Sequence, residues 1–454
     1  MLNMPDPILI AAVEGGGTSF VVAVAEISPE NNNGNNDNNN NNNNNNDSIR
    51  ILHQAEIDSS HDDPNRTLEE CASFFRRHKA ISKDGYRALG VAMFGPLGCD
   101  PQMKEEYGTI LPTTPKKSWR GIDVLSPLIK ACECDEATTN TTSRKLAVKI
   151  DTDVNAPAVA EYLSEKEKER RQQQQQVNSN KNSNSNSNNN TTNEKKIKKI
   201  SSLAYVTIGT GVGVGLVIHG QPVHGRMHPE GGHVPVQPLE GDTFTGYSWG
   251  ADSRNPFRGK HTIESMTSSV ALTERLEQMQ ERATTTTTTK LNRSCLADLK
   301  DDDHEVWEHA ANALANLCVT LALVTSVEKI VLGGGIMKRN GLIEKVRRQT
   351  RVLLNGYLGD LSDPDMSEWI TSSSYGSDVG LMGAFVLARQ AIAEENKNGE
   401  DGDGEGREVA ADPVKKLKQT AYNAGLWHGF ILGLSIAYVG IVVYARSGKS
   451  SNRR

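Results

Sequence analysis

Residues 8–27 read ILIAAVEGGGTSFVVAVAEI, and residues 202–219 read SLAYVTIGTGVGVGLVIH. Each stretch is a pair of apolar, β-rich runs folded about a glycine-rich turn, the signature of a hairpin. In the first, strands are expected at Ile8–Val13 and Phe20–Ile27; in the second, at Ser202–Ile208 and Val214–His219. Outward from the first hairpin, a third strand is expected at 49–57. It comes after an Asn tract, so three strands form an antiparallel meander with the tract at a hairpin tip. A helix over 64–79 follows, then strands at 87–94 and 147–150. The latter run into Gly95-Pro96 and Asp151-Thr152-Asp153, with a helix from Asn155. Outward from the second hairpin, Glu305–Ser326 carries apolar residues at helical spacing, and Lys329–Leu332 is a strand that runs into Gly333-Gly334-Gly335. Each half begins with a glycine-turned hairpin and continues with strand and helix in alternation. The expected class is α/β with internal duplication.

Composition sets the limits of that body. The chain has 454 residues and is 36% hydrophobic, and much of the apolar deficit lies in a few biased tracts. Residues 31–46 are almost pure Asn, and 172–193 are almost all Gln, Asn, Ser and Thr. These tracts, the Thr run at 284–289 and the acidic, glycine-rich 394–407 bury too little apolar surface to offset chain entropy, and disorder is expected there. A net charge of −6 gives no global field for nucleic acid. Six scattered Cys, with no paired zinc spacing, point to a reducing compartment without a disulfide framework. The N-terminus has no basic region ahead of its first apolar run, so no signal peptide is expected.

The C-terminus reads differently. Residues 419–445 carry no formal charge, and Gly425–Tyr444 is 20 residues long, about 30 Å as a helix and one hydrocarbon thickness. Trp427 and Tyr444 stand near its ends, and basic residues flank both sides. A single membrane-spanning helix is expected, with the catalytic body facing the cytosol. The short basic tail favours a mitochondrial or plastid outer membrane over the endoplasmic reticulum. Gly425, Gly429 and Gly433 share a face that suits helix pairing, so a homodimer is an expected partner arrangement.

Three glycine turns follow strands: Glu14-Gly15-Gly16-Gly17-Thr18, Gly209-Thr210-Gly211-Val212-Gly213, and Gly333-Gly334-Gly335. Glycine lets backbone N–H groups approach phosphate oxygens, although a single such turn is more often just a hairpin. No GxxxxGK[ST] occurs, and the turn at 209–213 does not fit GxGxxG, which argues against a P-loop and a Rossmann site. Asp153, just past a buried-type strand, is the candidate general base for phosphoryl transfer to a hydroxyl. Asp151 competes with it, or simply caps the next helix. Within HPEGGH, Glu230 and His233 offer an acceptor and a donor for neighbouring hydroxyls, or a plain surface loop.

Eight motifs occur in order: VEGGGTSF, FGPLG, YGTILPTTPKKSW, DTDVNAPAVAEY, VTIGTGVGVGLVIHG, HPEGGHVPV, IVLGGGIM and GLMGAFVLA, between residues 13 and 388. Together they resemble the bacterial-type fructokinases of the ROK sugar kinase family. The resemblance implies a duplicated actin/hexokinase-like, ribonuclease-H-like ATPase fold with two lobes and ATP and Mg²⁺ in the cleft. It implies an ATP-dependent hexose kinase, most specifically ATP + D-fructose to ADP + D-fructose 6-phosphate. Kinases for mannose, glucose or an N-acetylhexosamine, and a sugar-binding pseudokinase, are the alternatives. A sugar-responsive repressor would need a DNA-binding domain ahead of residue 13.

By position, the resemblance makes Asp153 the base and puts Gly95, Thr152, Glu230, His233 and Glu264 on the sugar. Gly16, Gly17, Thr18, Gly209, Thr210, Gly211 and Gly213 would face the phosphates, with Gly333, Gly334 and Gly335 near the nucleoside. Two departures stand out. Ser19 replaces the Lys usual after GGT, and Thr262 stands where the family's last zinc ligand would be. With His261 as the remaining candidate near His233, no structural zinc is expected, and the loop 237–262 must be held in some other way. The expected organisation is a first lobe over 1–165 (with 31–47 disordered) and a low-complexity insert over 166–200. A second lobe follows over 201–393, then an acidic linker over 394–418, the anchor over 419–445 and a basic tail over 446–454.

Overall fold

The computed structural model describes residues 8–27, 49–59, 62–82, 84–133, 145–182, 199–248, 250, 254–283, 295–359 and 366–400. The chain falls into two compact units, Met1–Glu395 and Asn396–Arg454. The expected anchor and most of the linker before it lie outside the described residues. No helix among the described residues is long and apolar enough to cross a membrane.

The first half supplies β1 (Ile8–Gly15), β2 (Ser19–Ile27), β3 (Arg50–Asp58), α1 (Pro64–His78), β4 (Ala88–Met93), α2 (Ser126–Cys132), β5 (Ala147–Thr152) and α3 (Asn155–Asn182). The second half supplies β6 (Leu203–Ile208), β7 (Val212–Ile218), β8 (Gln221–Pro222), α4 (Ile263–Thr267), α5 (Ser269–Ala283), α6 (Cys295–Asp298) and α7 (Glu305–Thr325). After these come β9 (Lys329–Gly333), α8 (Leu342–Leu354), β10 (Ile370–Ser372) and α9 (Val379–Glu400).

Two five-stranded sheets result, in the orders β3-β2-β1-β4-β5 and β10-β9-β6-β7-β8. In each, a glycine-turned antiparallel hairpin joins parallel strands: β1 with β4 and β4 with β5 in the first, β6 with β9 and β9 with β10 in the second. The meander β1-β2-β3 forms as expected, with Val24 opposite His53 and a register shift after it. The duplication is therefore visible as two sheets of one design.

The helices do not respect the halves. α3 follows the last strand of the first sheet, yet Ala158, Val159 and Ala160 pack with Leu203, Tyr205 and Val217 of the second sheet. α9 closes the second half, yet Leu381, Ala384, Phe385 and Ala388 pack on Ile10, Ala12, Ala88 and Ala92 of the first. The small side chains make this approach close: a Cβ on Gly90 would stand 1.9 Å from the Ala384 carbonyl oxygen. The cores of the two halves are thus exchanged through their helices.

The disorder expected from residue 172 is corrected in part. α3 continues as helix to Asn182, through Gln172–Gln176. Glu167 accepts from Arg170 and Arg171 at helical spacing, and Gln and Glu are adequate helix formers once a packed first turn has nucleated the helix.

Candidate active site

The site is built where the glycine turns meet β5. Asp153 leaves the end of β5 with its N–H donating to the Met93 carbonyl at 2.9 Å. The next residue, Val154, is locked against β7. A Cβ on Gly215 would lie 2.0 Å from the Val154 oxygen, and one on Gly213 would lie 2.5 Å from its side chain. The two glycines thus serve close packing of strand on loop, which in turn sets where the Asp153 carboxyl points. Burial raises that carboxyl to about 6; Glu230 adds to the rise, and the charges of His228 and Lys116 oppose it. A carboxylate near 6 is ionised at neutral pH and basic enough to accept a proton.

Asp151 has a different role from either expected for it. Its Oδ2 pairs with His224 Nε2 at 2.9 Å, and its Oδ1 accepts from the Thr152 N–H at 2.7 Å. The first N–H of α3 is met by Thr152 instead, whose Oγ1 accepts from the Asn155 N–H at 3.0 Å. Thr152 is therefore buried as a structural residue beside the candidate base.

The HPEGGH loop lies across from Asp153. Its two glycines press onto β7, where a Cβ on Gly232 would meet the Val212 oxygen at 2.0 Å and one on Gly231 would meet the Val214 side chain at 2.6 Å. That packing turns Glu230 and His233 back together, His233 Nε2 lying 3.8 Å from Glu230 Oε2. A nearer partner of Glu230 is His228, which the sequence reading did not single out. Its Nε2 lies 3.0 Å from Glu230 Oε1 and 3.0 Å from where a Cβ on Gly95 would be. His228 thus links Gly95, Glu230 and Asp153, and its place two residues before Glu230 in the quoted motif was the signal available.

The first two glycine turns face each other, since a Cβ on Gly17 would stand 3.9 Å from the Thr210 Cβ. Gly17 and Thr18 are exposed, Gly16 donates to the Ser19 carbonyl at 3.0 Å, and nothing crowds Gly209. Glu264 is set against the second turn. Its Oε2 accepts from the Val212 N–H at 3.0 Å and lies 2.6 Å from a Cβ built on Gly211. The structure thus brings it to the turn at 209–213. The third turn divides. Gly333 packs on the Tyr205 ring and Gly334, at φ +90°, on the Ile208 backbone, whereas Gly335 has open space. The first two of these glycines serve contact with β6, and only Gly335 is free to border a ligand.

Glu14, within the first turn, is a second residue that the sequence reading passed over. Burial raises its carboxyl to about 7, with Asp153 and Asp378 adding to the rise, and the Leu381 N–H of α9 donates to it.

The described part of the loop after His233 is fastened by side chains. Thr262 caps α4 in a reciprocal pair with Ser265. His261 carries a buried Nδ1 with no hydrogen-bond partner, but no group of three His, Cys, Asp or Glu able to hold a metal occurs among the described residues. A closed zinc site does not fit. The hold comes from Asp242, which takes two bonds of 2.9 Å from Arg275 and lies 3.2 Å from His309; Arg275 also covers the Phe244 ring. Asn312 and Asn316 on α7 bond the backbone of Gln237.

The chain is similar to known proteins. The ROK family model matches residues 176–391. A fructokinase of Zymomonas mobilis is 29% identical over 393 residues, 86% of this chain and 99% of its own length. A putative fructokinase of Bacillus subtilis is 27% identical over 394 residues, again 86% and 99%. A ROK family glucokinase from Streptomyces griseus, solved with glucose and AMPPNP, superposes with a TM-score of 0.51 at 19% identity, covering 85% of this chain and all of that one. At that identity the likeness concerns the fold, which is of the actin/hexokinase type.

Proposed function

We propose that this chain belongs to the ROK family and is an ATP-dependent hexose kinase whose acceptor is D-fructose and whose product is D-fructose 6-phosphate. The observation that carries the reading is Asp153, raised to about 6, at the junction of two facing glycine turns and the His228–Glu230 pair. Fructokinase relatives that align over 86% of the chain support the sugar.

In this reading Asp153 takes the proton of the sugar 6-hydroxyl as that oxygen attacks the γ-phosphorus and the bond to the β,γ-bridging oxygen breaks. Glu230 accepts from, and His228 and His233 donate to, other sugar hydroxyls, with Gly95 leaving room for them. The turns at 16–18 and 209–213 direct backbone N–H groups at the phosphates, and Gly335 borders the nucleoside. Mg²⁺ belongs to the proposal as the counter-ion that neutralises phosphate charge. Glu14, held near 7 by burial and acidic neighbours, is the carboxyl on that side that a cation would return to its ionised state.

The body is proposed to be tethered by the uncharged stretch 419–445 to an outer mitochondrial or plastid membrane. Glycines 425, 429 and 433 offer a pairing face for a homodimer. What supports this is length, absence of charge and aromatic flanks. Residues 413–454 moved onto a soluble reporter would carry it to membranes; a reporter that stays in solution removes the anchor.

The test of function is coupled ATP turnover by the full chain in detergent on fructose, mannose, glucose and N-acetylglucosamine. Fructose should give the highest kcat/KM, and Asp153→Asn should lower it about 10²–10⁴-fold. A higher kcat/KM on another hexose would move the acceptor, and no turnover on any would overturn the kinase.

A further inference from the structure

Lys116 is a charged side chain whose field reaches Asp153. Lys116 lies in TTPKKSW, a segment pinned to the end of the β4 loop. Thr114 Oγ1 donates to the Gly95 carbonyl at 3.2 Å, and the Leu111 N–H to the Pro96 carbonyl at 2.7 Å. Trp119, fully buried, stacks on Phe20 at 5.3 Å and meets Phe94 edge-on at 5.2 Å. Phe20 itself follows the first glycine turn. The segment is thereby wedged between that turn and Gly95, and Lys116 is delivered over the Phe94 ring with its Nζ 4.2 Å from the centroid.

The Nζ is shielded from solvent and makes no hydrogen bond. An ammonium has three donors, and leaving all of them unmade in a protected position is costly. The ring face offsets part of this, and the charges of Asp62 and Asp153 also support the ammonium against its burial. Asp153 beside it also feels Glu230 and acts on Glu14, with His228 as an opposing charge, and the turns at 14–19 and 208–213 contain no Lys or Arg. A triphosphate brought to such a cleft needs a fixed cation.

We propose that the Lys116 ammonium is a catalytic contact that donates to the γ-phosphoryl oxygens and follows that group as it passes from ADP to the sugar oxygen. The inference rests on the kinase reading above. In the step, the bond from phosphorus to the β,γ-bridging oxygen breaks and that from phosphorus to the sugar oxygen forms. The hydroxyl proton goes to Asp153, and Lys116 stays protonated throughout, stabilising charge on the equatorial oxygens.

Two variants test it, Lys116→Gln, and Lys116→Met, which keeps the stem on Phe94; thermal melts establish that each is folded. Calorimetry compares ADP with a non-hydrolysable ATP analogue on the full chain. The analogue should weaken about tenfold, as for one lost hydrogen bond to a charged group, while ADP stays within about twofold. Turnover of the hexose should fall about 10²–10³-fold in kcat, as when one transition-state donor is removed, with sugar KM little changed. Lys116→Arg should recover analogue binding relative to Gln. Equal weakening of ADP and analogue, no change in either, or a loss confined to sugar KM would each overturn the role. If the wild-type chain turns over no hexose, the functional reading fails, and the analogue–ADP difference still decides Lys116.

Discussion

Gly17 and Thr210 come from opposite halves of the chain and are van der Waals neighbours, a Cβ on the glycine standing 3.9 Å from that of the threonine. This contact brings the backbone donors of two hairpin turns to one place. It also explains why neither turn is convincing alone: the surface proposed to bind phosphate is shared between them. Asp153, whose charge reaches Glu14 of the first turn, stands where the two meet.

Asp153 should give the pH profile its acid limb. A base acts only when ionised, and burial raises this carboxyl to about 6. Activity is therefore expected in full well above 6 and to fall as pH drops through it, read as kcat/KM against pH. Asp153→Asn should lose about 10²–10⁴-fold. The same variant should melt higher than wild type at pH 7, because the buried carboxylate it removes is disfavoured there; a lower melting temperature would contradict the assigned environment.

Gly215→Ala should damage site and fold together. Its methyl would lie 2.0 Å from the Val154 oxygen, so the residue next to Asp153 must move. A stability loss of about 1–3 kcal/mol is expected for such overpacking, with kcat reduced more than KM. Gly225→Ala, where nothing lies within 4 Å, is the control and should melt as wild type does.

The Asp242–Arg275 pair should prove to be what holds the loop after His233. Both side chains are buried, and breaking such a pair costs about 3–5 kcal/mol. Burial alone would raise the Asp242 carboxyl, but bonds from Arg275 and the Phe244 N–H hold it below the ordinary value. A depressed carboxylate contributes stability above its unfolded value and loses it as pH falls through the folded one. Asp242→Asn should thus show its full deficit in melting temperature at pH 7, shrinking below about pH 4. Chelators should not lower the wild-type melting temperature.

His224 ties the loop after β8 to Asp151 on β5, a bond between the two halves. The bond to Asp151 raises the imidazole above its ordinary value. Its contribution is therefore complete below about 6.5 and lost as pH rises through the higher folded value. His224→Ala should melt below wild type at pH 6 and approach it at pH 9. A gap that is constant with pH would mean the tie is not ionic.

Much of the fold could be read directly because hairpins and their turns are local. The apolar runs at 8–13 and 20–27, and at 202–208 and 214–219, contain their own pairing partners a few residues away. The candidate base was legible for the same reason, since Asp153 follows a buried strand directly. His228 was overlooked because its significance depends on Gly95 and Asp153, both far away in the chain. Lys116 was passed over because a lysine in a polar loop is ordinarily solvated, and only the packing of Trp119 on Phe20 and Phe94 shields this one.

From order and composition alone came two hairpin-led halves, three glycine turns, an acid at 153 and a long uncharged tail segment. These depend on periodicity and on residue types that act within a turn or two. What tertiary structure decided was the exchange of α3 and α9 between sheets, the bond of Thr152 rather than Asp151 to the first N–H of α3, and the spending of Gly333 and Gly334 on packing. The reason is physical. A helix with a small-residue face can cover either sheet, a glycine can serve a ligand or a neighbouring backbone, and only the distances between distant segments determine which.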